Sequence, residues 1–114
     1  SRIAIRQDGA PAGRTDFVTN LAGYPDGLAF DDAGNLYVSC YNPSRIFRVD
    51  REGRVELYIE DPTSELICHP TNIAFDGAAL YTANLGRWHI VRIASDVRGT
   101  PVVARVMEAR SARR

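Results

Sequence analysis

Residues 24–40, YPDGLAFDDAGNLYVSC, set out a strand, a tight turn and a second strand. Leu36, Val38 and Cys40 alternate with Tyr37 and Ser39, the period-two pattern of a β-strand. Asp32-Ala33-Gly34-Asn35 before them is turn chemistry. The run Asp31–Asn35 lacks both the alternating acidic spacing and the distal glutamate of a calcium loop, so it reads as a hairpin turn. At the front, Asp26 stands between Pro25 and Gly27. One reading is a tight entry into the strand, with the aspartate accepting backbone hydrogen bonds and the glycine supplying an unusual φ. The other is a carboxylate kept for a ligand.

Working outward, the stretch recurs. Pro25 aligns with Pro70, Ala29-Phe30-Asp31 with Ala74-Phe75-Asp76, Tyr37 with Tyr81, and Ile46-Phe47-Arg48-Val49 with Ile90-Val91-Arg92-Ile93, a period of 44 to 45 residues. A partial copy precedes them, since Ser1-Arg2-Ile3 resembles Ser44-Arg45-Ile46 and Asp16-Phe17-Val18 takes the place of Val55-Glu56-Leu57. Ile46–Val49 and Val55–Ile59 are rich in β-branched and aromatic residues. Asn42-Pro43-Ser44 and Arg51-Glu52-Gly53 punctuate them. Each full unit is therefore expected to hold four short antiparallel strands.

Four-stranded units at this spacing are the blades of a β-propeller. The expected fold class is all-β, with about two and a half blades. The expected divisions are 1–20 as the outer strands of a partial blade, 21–66 and 67–107 as full blades, and 108–114 as a tail. Propellers close with about four to eight blades, which needs at least ~160 residues. An open stack leaves an edge and an apolar blade face bare. The expected partners are accordingly further blades of a longer chain or other copies in a homo-oligomer. The segment VVARVMEARSARR holds the one amphipathic helical pattern, and its arginine-ended tail is expected to fray.

Composition narrows the function classes. The 114 residues are 45% hydrophobic and 25% charged, which is globular rather than disordered. Net charge is zero, so no bulk attraction to nucleic acid or an anionic membrane is expected. The basic residues are all arginine, 14 of them. Bidentate anion recognition or a codon bias both account for that. No apolar run approaches the ~18–20 residues that span a bilayer, and no signal peptide opens the chain, so a cytoplasmic location is expected. Cys40 and Cys68 lack C-x-x-C spacing and are expected to be reduced and partly buried.

The stretches PDGLAFDDAGNLYVSCYNPSRIFRVDREG and HPTNIAFDGAALYTANLGRWHIVRI resemble the last blades of the senescence-marker-protein/gluconolactonase/luciferin-regenerating family of six-bladed propellers. The resemblance runs over roughly residues 1–103. It implies a lactone hydrolase that depends on a divalent metal, calcium or zinc, at the mouth of the central channel. The ligands would be a Glu, an Asn and an Asp from different blades. The aspartate of P-D-G carries over to Asp26, as metal ligand and as the catalytic base. The other two belong to parts of the family pattern that these residues do not match, so the site is expected to be incomplete within one chain. A catalytically inactive, oligomerising propeller fragment and a ligand- or partner-binding module stand as the alternatives.

Further candidates come from position. Asn72 occupies the repeat position of Gly27 and either offers an oxygen to the channel or stabilises a turn. Tyr41, Asn42 and Arg87 sit in inter-strand loops, where they line a rim or pack a blade edge. His69 and His89 are single histidines without a second ligand at metal spacing. A Cys68–His69 nucleophile–base pair is sterically awkward between neighbours, and no G-x-S-x-G is present.

Overall fold

The computed structural model describes residues 1–101. Nine strands make up three antiparallel sheets, and no helix occurs among the described residues. β1 (Arg2–Ile5) pairs with β2 (Pro11–Thr15). β3 (Pro25–Phe30), β4 (Leu36–Cys40), β5 (Arg45–Val49) and β6 (Val55–Glu60) form a four-stranded meander in chain order. β7 (Pro70–Asp76), β8 (Ala79–Asn84) and β9 (Ile90–Ala94) form a three-stranded one. This all-β architecture is that of partial propeller blades, with β3 and β7, the first strands of the second and third sheets, packed against each other. The rest of the 67–107 unit, the 108–114 tail and the whole amphipathic segment, residues 102–114, lie outside the described residues.

The turn chemistry behaves as its residues dictate. Asp31 accepts Asn35 N–H at 2.8 Å and the Asn35 amide at 2.8 Å, and Gly34 takes the positive φ of 86° that closes the turn. Gly53 does the same after β5, at φ 86°. Asp31–Asn35 is thus a hairpin turn whose first carboxylate is already spent.

Two layers of side chains hold the sheets together. Between the second and third sheets, Tyr37, Ile46, Ile67, Ile73 and Leu80 are buried, with Ala29, Tyr58 and Phe75 packed around them. Tyr37 stands edge-on to Tyr58 and to Phe75, both at 5.1 Å. On the opposite face of the second sheet, Val38, Cys40, Phe47 and Val49 are covered by Phe17, Val18 and Leu21 from the segment after β2. β4 is therefore buried on both faces, although its sequence alternates. A middle strand between two packed layers has no solvent side.

The chain after β9 departs from the pattern after β5. Instead of a hairpin to an outer strand, Arg98–Thr100 cross back to the end of β3. Asp32 N–H donates to Arg98 O at 2.7 Å, Thr100 N–H to Phe30 O at 3.0 Å, and the Thr100 hydroxyl to Asp31 O at 2.7 Å. Gly99 lies so close to Phe75 that a Cβ there would fall on the phenylalanine Cβ.

Candidate functional site

The start of β3 is fixed by a single hydroxyl. Ser39 Oγ accepts Gly27 N–H at 3.0 Å and donates to the carbonyl oxygen of Thr71, on the innermost strand of the next sheet. A Cβ on Gly27 would lie 2.8 Å from both Ile73 N and Ser39 Oγ, and closer still to Thr71 O. Glycine is required here by the approach of two backbones. Its φ is not in the left-handed region, contrary to the turn reading of Pro-Asp-Gly.

Gly27 is buried against β7 and Ala29 is half-buried, while Asp26, Leu28 and Phe30 are exposed, and a bulge between Pro25 and Leu28 interrupts the alternation at Asp26 itself. Asp26 lines a hollow of about 320 Å³ whose other walls include Phe17, Val18, Leu21, Leu28 and Leu36. Its carboxylate makes no hydrogen bond or ion pair among the described residues. An aspartate placed to stabilise the turn would hold a backbone N–H, and Asp26 holds none. Both oxygens are free to meet a ligand.

Tyr41 and Asn42 are bound to Tyr24, two residues before Asp26, and neither lines the hollow. Tyr24 N–H donates to Asn42 O and Tyr41 N–H to Tyr24 O, each at 3.1 Å, and the two tyrosine rings stack at 5.7 Å. His69, which positional reasoning set aside, touches the same loop. Its Nδ1 lies 2.6 Å from Tyr41 O. A carbonyl only accepts, so Nδ1 is the donor in this bond. His69 also has a positive φ of 53°, with its N–H on Ser44 Oγ at 3.0 Å and its carbonyl taking Leu85 N–H at 3.0 Å.

The remaining rim candidates do not converge on Asp26. Asn72 is exposed on the face of β7 that turns away from β3. Arg87 is exposed between β8 and β9, with no ion pair among the described residues. Its neighbour Trp88 is fully exposed. Main-chain bonds from Leu85 to His69 and from Gly86 to Cys68, with His89 Nε2 against Leu66 O, tie the loop over the entry to β7 instead.

Asp50 and Asp61 are committed to structure. Asp50 is bound by Arg54, which holds its carboxyl below the usual range. Burial alone would raise the Asp61 carboxyl. Hydrogen bonds from Leu66 N–H (2.6 Å), Ile67 N–H (3.0 Å) and the Thr63 hydroxyl (3.1 Å) outweigh it and lower the pKa. Burial, and then the Asp31 carboxylate, push the Tyr37 phenol up to about 12. The Cys40 thiol is raised by burial, and both cysteines are free and buried. A buried thiol held in its protonated form is a poor nucleophile.

No group of three or more His, Cys, Asp or Glu side chains gathers as a metal site among the described residues. Calcium wants six to eight oxygens, and catalytic zinc commonly three protein ligands. Asp26 fits as one donor to such an ion, and the described residues do not complete the set. No helix among them is long and apolar enough to cross a membrane.

Against known proteins, residues 2–85 match the family described as the SMP-30/Gluconolactonase/LRE-like region. Over 84 residues the chain is 34% identical to the 6-deoxy-6-sulfogluconolactonase of Pseudomonas putida. That alignment covers 71% of this chain and 28% of the relative, so the chain spans little more than a quarter of the relative's length.

Proposed function

The chain belongs to the SMP-30/gluconolactonase/LRE-like family, and from that premise we propose that it is a segment of a gluconolactonase-like lactone hydrolase with Asp26 as its reactive carboxylate. The observation that carries this reading is the exposed, unbonded carboxylate of Asp26, on a strand pinned one residue later by Ser39. Ionised Asp26 would take a proton from water as the water oxygen bonds to the lactone carbonyl carbon. Cleavage of the ring C–O bond then passes a proton to the departing alkoxide, leaving a hydroxy acid. A divalent ion, calcium or zinc, would add Lewis acidity at the carbonyl. Its further ligands would come from outside this segment, from other blades of a longer chain or from another copy. The favoured substrate is a small sugar lactone, in keeping with the name of the relative.

The test is hydrolysis of gluconolactone and of 6-deoxy-6-sulfogluconolactone, paired with calorimetric titration of calcium and zinc. Wild type should bind either ion only at about millimolar concentration, as suits one carboxylate plus waters, and Asp26→Asn should abolish that binding. Any turnover should be EDTA-sensitive and lost in Asp26→Asn. Binding and turnover that survive the substitution would sink the assignment. A second reading, a propeller segment without activity of its own that binds a ligand or partner, is favoured by the absence among the described residues of any group of three or more His, Cys, Asp or Glu side chains. It predicts ion binding without turnover.

A further inference from the structure

β3 and β7 each enter their sheet through a bulge. Between the pairs Pro25–Cys40 and Leu28–Val38, Asp26 and Gly27 together face Ser39. Between Pro70–Asn84 and Ile73–Thr82, Thr71 and Asn72 together face Ala83. The two bulges belong to neighbouring strands, since β3 and β4 both pack against β7. A bulge takes residues out of the ladder, so their backbone groups need other partners, and whatever supplies those partners sets the local course of the chain.

At the first bulge the partner is a side chain. Ser39 Oγ accepts Gly27 N–H at 3.0 Å, lies 3.3 Å from Gly27 O, and donates its proton to Thr71 O in the second bulge. The second bulge is built differently. Its facing residue, Ala83, has no hydroxyl, and the bulge supplies one itself, from Thr71 Oγ1 to Ala83 O at 3.3 Å. A bulge of this register therefore closes over alanine, and filling space does not explain the Ser39 hydroxyl. Ser39 is fully buried, where a hydroxyl costs free energy unless it is bonded. What it bonds is the peptide group that joins Asp26 to Gly27.

We propose that Ser39 is a positioning residue for Asp26: its hydroxyl holds the Asp26–Gly27 bulge in the shape that presents the carboxylate, and ties that shape to β7 through Thr71. The Asp26 carboxylate makes no hydrogen bond or ion pair among the described residues, so its own contacts do not orient it. The backbone does. Holding the Asp26–Gly27 peptide plane fixes the rotation about the Asp26 Cα–C bond, and with it the direction of Cα–Cβ relative to the strand. Ser39 itself touches no ligand in this role, and acts as outer partners of a metal ligand do, by limiting where the donor can go. Its bearing on catalysis rests on the reading of Asp26 as the reactive, ion-binding carboxylate.

NMR of the full labelled chain tests this in two steps, with Ser39→Ala, Ser39→Cys and, as control, Ile67→Val, which trims the same core outside both bulges. Residual dipolar couplings of the Asp26 Cα–Hα and Gly27 N–H bonds report the bulge without any ion. Ser39→Ala should change them and strip the Gly27 amide of exchange protection, while couplings at Phe30 and Leu36 stay put. Ile67→Val should leave all of them as in wild type. Ser39→Cys keeps a weaker donor and acceptor of similar shape, so it should fall between the two, and it carries the test where the alanine variant does not fold. Calcium titration at constant ionic strength follows. Its dissociation constant should rise about tenfold in Ser39→Ala, and a wild-type shift at Thr71 that accompanies the one at Asp26 should vanish. Unchanged Asp26 couplings in Ser39→Ala, or calcium binding equal to wild type, would overturn the proposal. Calcium that shifts nothing in wild type would instead remove the ion-binding reading of Asp26, and the couplings alone would then decide whether Ser39 positions it.

Discussion

At Gly27 a side chain as small as alanine is already too large. The added Cβ would press on backbone atoms of Thr71 and Ile73, which cannot swing away as a flexible side chain would. Gly27→Ala should cost about 1–3 kcal/mol, as overpacking does, and urea unfolding would measure it. The neighbouring Asp26→Asn substitution should behave oppositely. Its carboxylate supports no bond among the described residues, so stability should move by no more than about 0.5 kcal/mol while ion binding disappears. A large stability loss in Asp26→Asn would return Asp26 to a structural role. The sequence made Pro-Asp-Gly conspicuous but left its purpose open. The glycine's reason is a contact with Thr71, and the serine that completes it bonds 32 positions along the chain.

At the scale of the element, the loop from β6 to β7 is organised by Asp61. Its carboxylate gathers the N–H groups of Leu66 and Ile67, which sets Ile67 into the core. Because the folded pKa is lowered, this contribution is present above the unfolded carboxylate value of about 3.9 and is lost as pH falls through the folded value. Asp61→Asn should lower stability by about 1–3 kcal/mol at neutral pH. Its denaturation midpoints should also vary less between pH 4 and pH 2 than those of wild type. Parallel pH profiles for the two proteins would contradict the role. None of this was legible beforehand, since Asp61-Pro62-Thr63-Ser64 reads only as loop. The hairpin at Asp31–Asn35 was legible, because its donors and acceptors lie within five residues.

Over the whole molecule, stability concentrates where the second and third sheets meet. Tyr37 is fully buried there and touches two other rings. Tyr37→Ala should cost about 3–5 kcal/mol, in the range of other large aromatic truncations, and should separate the two sheets in hydrogen exchange. Loss of protection confined to β4 would instead mean that each sheet stands alone. The alternation in β4 announced a strand, and the structure adds that it is packed on both sides. Asn72 shows the same limit at the site. Its place beside Asp26 in a repeat alignment puts both at strand entries, but each entry carries a bulge, and of the two only Asp26 lines the hollow beside Leu28.

By itself the sequence determined the local structure of this protein: which segments extend, where they turn, and a family signature dense enough to recognise. Those features depend on near neighbours and on side-chain alternation. The tertiary structure alone decided that Gly27 serves a backbone contact and that Asp26 remains free. Whether a carboxylate is spent or available depends on donors brought to it from elsewhere, and only folding brings them.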